Sequence, residues 1–167
     1  MTRPISVIIV SYNTRETLRR CLSSLQHCRV EARLEVHVVD NASIDGSSAM
    51  VRQLFPEVRL YGNSWNSGFA SAMNQALGEV GGGDLMWLNP DAEVTPGAIR
   101  AMLDVLDRHP RTGLVAPRLS HADGSLQHSL RRRSFYRPEH LLLSAAGFGR
   151  ILPAVRRRLA ADRYADW

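Results

Sequence analysis

Short apolar runs alternate with longer amphipathic stretches along this chain. Residues 5–10 form a continuous, mostly β-branched run, the pattern of a strand buried on both faces. Residues 14–28 follow with Leu18, Cys21, Leu22 and Leu25 at helical spacing, and Asn13 or Thr14 is suited to cap that helix. The same reasoning predicts strands at 34–39, 58–61, 85–88 and 114–117, and helices at 45–55, 68–77 and 96–108. Pro56 stops the second helix, and Pro96 suits the first turn of the last. Gly81, Gly82 and Gly83 read as a flexible break before a buried fourth strand. Strands alternating with helices predict an α/β fold of βαβ units around a mostly parallel sheet.

Polar residues concentrate where the predicted strands end. Ser11, Tyr12 and Asn13 follow the first, Asp40 to Gly46 the second, and Asn89, Pro90 and Asp91 the fourth. In a parallel sheet these loops share one edge, where α/β folds bind their ligands. Pro90 locks its own φ and biases Asn89 away from helical geometry, so Asp91 should project from a stiff corner. Asp40 also reads as a helix-capping or Asx-turn residue and Asp45 as a helix N-cap. Between the third and fourth strands, the small residues around Gly68 permit close backbone approach, and the amides opening that helix could face a phosphate. Phe69, Ala72 and Met73 are predicted to face the core. There is no Gly-x-Gly-x-x-Gly fingerprint, no Gly-Lys-Ser/Thr phosphate loop and no Gly-x-Ser-x-Gly elbow, and the six histidines lack metal-ligand spacing.

Charge changes this picture little. All 21 basic residues are arginine and the formal net charge is +5. Much of the excess sits in two triplets, Arg131 to Arg133 and Arg156 to Arg158, without aromatic interleaving, so a nucleic-acid groove is a weak reading. Cys21 and Cys28 read as plain thiols of a reducing cytosol. No stretch approaches the roughly 20 apolar residues of a membrane span. The expected location is therefore cytoplasmic, with a peripheral position on the inner face of the plasma membrane as the alternative.

Four motifs follow one another in order: Val10-Ser11-Tyr12-Asn13; Val39-Asp40-Asn41-Ala42-Ser43 with Asp45-Gly46; Asn66-x-Gly68-Phe69 with Asn74; and Leu88-Asn89-Pro90-Asp91. Together they resemble the family 2 glycosyltransferases, which have the Rossmann-like GT-A fold. The later Asp123-Gly124-Ser125-Leu126-Gln127-His128-Ser129, with its arginine triplet, looks like the rhamnosyltransferase-type branch. The resemblance implies a nucleotide-diphospho-sugar-binding domain over 1–118, followed at 119–167 by the start of an acceptor half. It implies that Ser11, Tyr12 and Asn13 line the nucleoside and that Asp40, with Asn41 beside it, recognises base or ribose. Asn66 and Gly68 would lie beside the diphosphate and sugar. Asp91 would match the last acid of the metal-binding Asp-x-Asp signature, with Asn89 at its first position, and would ligate Mg²⁺ or Mn²⁺. The implied reaction is inverting transfer of a sugar, rhamnose among the candidates, to a glycan or polyprenyl-linked acceptor.

One part of the resembling pattern is missing. The acceptor hydroxyl needs a carboxylate base, and none of the late acids Asp123, Glu139, Asp162 and Asp166 sits in a matching motif. The expectation is a donor-binding half that transfers poorly alone, with a non-catalytic nucleotide-sugar-binding module as the alternative. An apolar face across 141–155 reads as packing on an acceptor half, or else as contact with an anionic membrane.

Overall fold

The computed structural model describes residues 4–29 and 32–127. The chain divides into two compact units, residues 1–115 and 116–167. The late acids beyond Asp123, both arginine triplets and the 141–155 face lie outside the described residues.

In the first unit, β1 (Ile5–Ser11), α1 (Arg15–Cys28), β2 (Leu34–Asp40), α2 (Ser47–Leu54), β3 (Arg59–Gly62), α3 (Phe69–Leu77), β4 (Asp84–Trp87) and α4 (Ala98–Arg108) follow one another. The four strands are all parallel, in the order β3-β2-β1-β4. Every residue of β1 is buried, because β1 has a strand on each side and helices on each face. Period-two alternation sorts its side chains. Ile5, Val7 and Ile9 pack with Leu18, Cys21, Leu22 and Leu25 of α1, Met50 and Val51 of α2, and Ile99 of α4. Ile8 and Val10 pack on the other face with Val39 and with Ala72, Met73 and Ala76 of α3.

That split follows from connection handedness. From β1 through β3 the chain steps outward in one direction, with α1 and α2 on one face. It then crosses back to lay β4 on the far side of β1. A right-handed crossover in the reverse direction puts α3 on the opposite face. The switch in direction opens a crevice between the carboxyl ends of β1 and β4.

Three expectations are corrected here. Residues 114–117 form no strand; Leu114 is 79% exposed, and Pro117 has no N–H to give a ladder. The fourth strand is not buried: among the described residues β4 is a sheet edge, and Trp87 is 63% exposed because α3 covers the inner strands of that face. The glycine run is not merely loose. Gly83 has φ +100°, and a Cβ there would sit 2.6 Å from the Pro4 carbonyl oxygen.

Gly83→Ala is therefore expected to cost roughly 2–4 kcal/mol, combining left-handed backbone strain with a main-chain clash. Gly82→Ala, also at positive φ but with open space around it, should cost about 1 kcal/mol. Urea midpoints of the two variants check the contrast; equal midpoints would exclude the clash.

His37 is fully buried on β2, its Nδ1 3.0 Å from Tyr61 Oη and its ring stacked on the tyrosine. Among the described residues its Nε2 has no hydrogen-bond partner. Burial first, then the nearby Arg59 guanidinium, holds its pKa below the ordinary histidine value, against smaller opposing effects of Glu35 and Glu79. The folded state thus keeps His37 neutral, whereas the unfolded chain takes up its proton below pH ~6.5. Stability should fall as pH drops below that value, and His37→Phe should flatten the dependence of the urea midpoint between pH 7.5 and 5, a window set by the free imidazole pKa of about 6.5.

The described part of the second unit, residues 116–127, is a tight turn. Ser120 and Leu126 form an antiparallel bridge, and the Asp123 carboxylate accepts from both the N–H and the hydroxyl of Ser125, at 2.9 and 2.6 Å. Those bonds hold its carboxyl below the usual range.

Candidate functional site

The corner carrying Asp91 is a β-turn in which Pro90 takes the position that suits its fixed φ. Ala92 N–H donates to the Asn89 carbonyl at 3.2 Å, closing the turn. Helix α1 clamps it from below. The Cys21 thiol lies 3.6 Å from the Asn89 carbonyl, and Val94 N–H donates to Ser24 Oγ at 2.9 Å. Leu88 N–H also donates to the Ile8 carbonyl at 3.1 Å, tying the turn's entrance to β1. Asp91 and Asn89 are exposed at the top of this clamp. Burial, followed by the Asp91 and Glu93 charges, pushes the Cys21 thiol up to about 12. The Asp91 carboxylate thus stands close enough to α1 to be felt there. Glu93 reaches Arg20 at 3.8 Å, an exposed pair worth little.

At the end of β1, Asn13 adopts φ 53° and stitches two loops together. Its N–H donates to Ser43 Oγ at 2.8 Å, and its Oδ1 accepts from Ile44 N–H at 2.9 Å. Ser11 is buried, its hydroxyl 2.8 Å from Thr14 Oγ1 and its carbonyl accepting from Asn41 N–H at 2.8 Å. Tyr12 is exposed beside them.

Asp40 is buried, with Oδ1 accepting from Ser43 N–H at 3.1 Å and Oδ2 from the Ser48 hydroxyl. Asp40 thus holds its own loop, though its bond reaches the third residue on rather than the second of an Asx turn, and each oxygen retains a lone pair for a further donor. Ala42, at φ 70°, is strained between these anchors.

The cap of α1 differs from expectation. Thr14 stands at the N-cap position but makes no side-chain cap bond. Arg15 N–H donates instead to Asp45 Oδ2 at 2.8 Å, while Asp45 Oδ1 accepts from Ser47 N–H and Oγ at 3.0 and 2.6 Å. One carboxylate therefore caps two helices. Desolvation works to raise its pKa, but these hydrogen bonds outweigh it and leave the carboxyl below the ordinary aspartate value.

Asn41 was expected at the nucleotide. It is a buried hub. Its Oδ1 accepts from Asn63 Nδ2 at 3.1 Å, Ser67 N–H at 3.0 Å and Ser67 Oγ at 3.1 Å. Its Nδ2 donates to Asn66 Oδ1 at 2.7 Å and the Gly68 carbonyl at 3.4 Å. Asn66 Oδ1 in turn accepts from Gly68 N–H at 2.9 Å. Gly68, at φ 81°, opens α3. Ala72 and Met73 are buried as expected, but Phe69, the first residue of α3, is 58% exposed.

Ser11, Asn13, Asp40, Asn41, Asn66 and Gly68 are thus joined through direct hydrogen bonds or through Ser43. Asn89 and Asp91 stand in the turn that follows β4, the strand next to β1. Sequence reasoning saw Asp45 as a local cap but missed its reach to Arg15; it placed Ser43 in a motif without seeing its link between Asn13 and Asp40, and it missed Ser48. The serines follow an acid within eight residues, a signal too common to single them out.

Among the described residues, no three His, Cys, Asp or Glu side chains form a metal-holding group. A lone, exposed carboxylate fits a hard divalent cation only if a diphosphate and water supply the remaining oxygens. No helix among the described residues is long and apolar enough to cross a membrane.

Residues 6–162 match the family described as glycosyl transferase family 2. The N-acetylglucosaminyl-diphospho-decaprenol L-rhamnosyltransferase of Mycobacterium tuberculosis is 34% identical over 143 residues, covering 79% of this chain and 46% of that protein. The chain therefore spans less than half the length of that relative. A mannosyltransferase from Pyrobaculum calidifontis, solved with GDP-Man and Mn²⁺, superposes with a TM-score of 0.56 at 26% identity, covering 64% of this chain and 33% of that one. S. aureus TarS 1-349 in complex with UDP superposes with a TM-score of 0.57 at 22% identity, over 70% of this chain and 38% of that one, which speaks to fold alone. The α/β architecture with a parallel sheet and flanking helices is thus shared with GT-A glycosyltransferases.

Proposed function

This chain belongs to glycosyl transferase family 2, and from that premise we propose that its crevice binds a nucleotide-diphospho-sugar for transfer of the sugar, with inversion, to a lipid-linked or cell-surface glycan. The observation that carries the reading is the clamped Asp91 corner at the sheet's switch point, beside the hydrogen-bonded loops that end β1 and β2. The similarity to an L-rhamnosyltransferase favours rhamnose as the sugar and a polyprenyl-linked acceptor. Such an acceptor brings the protein to the inner face of a membrane as a peripheral partner.

Each residue takes a role set by its position. Tyr12 offers an exposed ring to the base, with Ser11 and Asn13 holding its loop. Asp40 accepts a further hydrogen bond from base or ribose through its spare lone pairs. Asn41 acts indirectly, by holding Asn66 and Gly68 where the backbone can approach the diphosphate. Asp91 would hold Mg²⁺ or Mn²⁺ against the diphosphate, with Asn89 keeping the turn. The metal would supply charge neutralisation for the departing nucleoside diphosphate. In the transfer, the acceptor oxygen bonds to the anomeric carbon, the bond to the phosphate oxygen breaks, and the hydroxyl proton goes to a carboxylate base. No described residue is assigned that last role.

Calorimetric titration with UDP-, dTDP- and GDP-sugars, with Mn²⁺ and then with EDTA, tests the reading. One donor should bind saturably and lose at least about tenfold in affinity, ~1.4 kcal/mol, when metal is removed. Binding by none of the three overturns it; binding without transfer to any acceptor favours a non-catalytic donor module.

A further inference from the structure

A wide-open cavity of about 440 Å³ lies at the other end of the sheet edge, where β3 meets α3. Its walls include Asn63, Ser64, Trp65, Ser67, Ser71 and Gln75. Three inter-strand steps of ~4.8 Å separate β3 from β4, so the cavity lies roughly 14 Å along the sheet from the Asp91 corner. None of the donor-crevice residues lines it.

The chemistry of the walls is selective. Among the described residues they contain no charged side chain, so nothing there would neutralise a phosphate or a carboxylate. They do carry hydroxyls and two carboxamides around one large aromatic ring. Trp65 is 67% exposed, an uncommon position for so large an apolar ring. Among the described residues, the side chains of Ser71 and Gln75 make no hydrogen bond within the fold. Their positions four residues apart put both on one face of α3, turned toward the cavity. Asn63 and Ser67 are held in place by Asn41, so that wall is preorganised.

A pyranose presents an apolar C–H face and a rim of hydroxyls, each matched here by one kind of wall. We propose that this cavity is a neutral-saccharide site, separate from the donor crevice and suited to a segment of a glycan chain. Its volume falls within the ~300–1,000 Å³ range of small-molecule sites. The indole takes the C–H face of one sugar ring, while Gln75, Ser71 and the Asn63 carbonyl oxygen exchange hydrogen bonds with its hydroxyls. A nucleoside would also stack on Trp65, but a nucleotide would bring charge that the walls do not answer.

This site does not depend on the donor reading, and its test is separable from that one. Chitotriose and maltotriose are titrated into the ¹⁵N-labelled full chain, and the amide signals of Ser71 and Gln75 and the Trp65 indole signal are followed. Saturable shifts confined to these residues are expected. Trp65→Ala should weaken binding about tenfold, the loss of one aromatic contact of ~1.4 kcal/mol, and Gln75→Ala about threefold. Both side chains are exposed, so neither variant should alter folding, and Gln75→Ala, on α3 and off the 63–68 loop, should leave the affinity for nucleotide-sugar unchanged. Absence of shifts with both trisaccharides at about 10 mM, where even a weak site fills, overturns the proposal. So does an unchanged affinity in Trp65→Ala, or displacement of the sugar by UDP, whose charge the walls do not answer.

Discussion

Replacing Asp91 by Asn is expected to lower Mn²⁺-supported nucleotide-sugar affinity by roughly 100-fold, about 2.7 kcal/mol, while changing stability by less than ~0.5 kcal/mol. The two effects separate because of where the residue sits. Its side chain is exposed, and the turn beneath it is closed by Ala92 N–H, the Cys21 thiol and the Ser24 hydroxyl, none of which uses the Asp91 carboxylate. An amide of the same shape leaves that clamp intact. It removes the negative charge that a hard cation requires, and among the described residues no group of three His, Cys, Asp or Glu side chains stands there to compensate. Glu93 stands two residues on but is turned to Arg20. Calorimetry with and without Mn²⁺ reads the difference. A loss below threefold, or an equal loss in EDTA, would remove Asp91 from the metal role.

Asn41→Ala should behave in the opposite way, costing roughly 2–4 kcal/mol of stability, from five hydrogen bonds at about 0.5–1.5 kcal/mol each with partial repair by water. The affected groups lie on the loop between β3 and α3: Asn63, Asn66, Ser67 and Gly68 would all lose their common partner. The midpoint of thermal unfolding should drop by about 10 °C. Donor affinity should fall with it, because the loop would no longer present the Gly68 backbone in one place. Asn41→Asp separates these contributions. It keeps the acceptor for Asn63 and Ser67 but sets a carboxylate oxygen against the Gly68 carbonyl and Asn66 Oδ1, where a donor stood. It should therefore destabilise as strongly as alanine at neutral pH. Wild-type melting of both variants would show that Asn41 is not the hub.

The contrast between these residues explains how far the site could be read in the sequence. Asp91 was legible because its constraint is local: an apolar run, then a proline that fixes the next corner. Ser11 to Asn13 and Asp40 were legible because they directly follow strong strand patterns. Asn41 could be seen only as a neighbour of Asp40. Its five bonds run to residues 22 to 27 positions away, and no spacing rule anticipates them. Asp45 shows both cases in one side chain. Its bonds to Ser47 are a local cap, while its bond to Arg15 spans 30 residues and appears only when two helices start side by side.

The sequence by itself determined the element order, the parallel α/β class and the gathering of polar loops at one sheet edge. Periodicity, proline placement and strand-to-helix alternation act over a few residues and survive in any α/β packing. Only the tertiary structure decided that β4 lies beside β1, so that Asp91 stands near Ser11 to Asn13 and away from β3. It alone exposed Trp87 and Phe69 and left residues 114–117 without a strand. The physical reason is the same in each case. Burial and strand pairing depend on which distant segments arrive alongside, and crossover handedness and packing make that choice after the local pattern has been set.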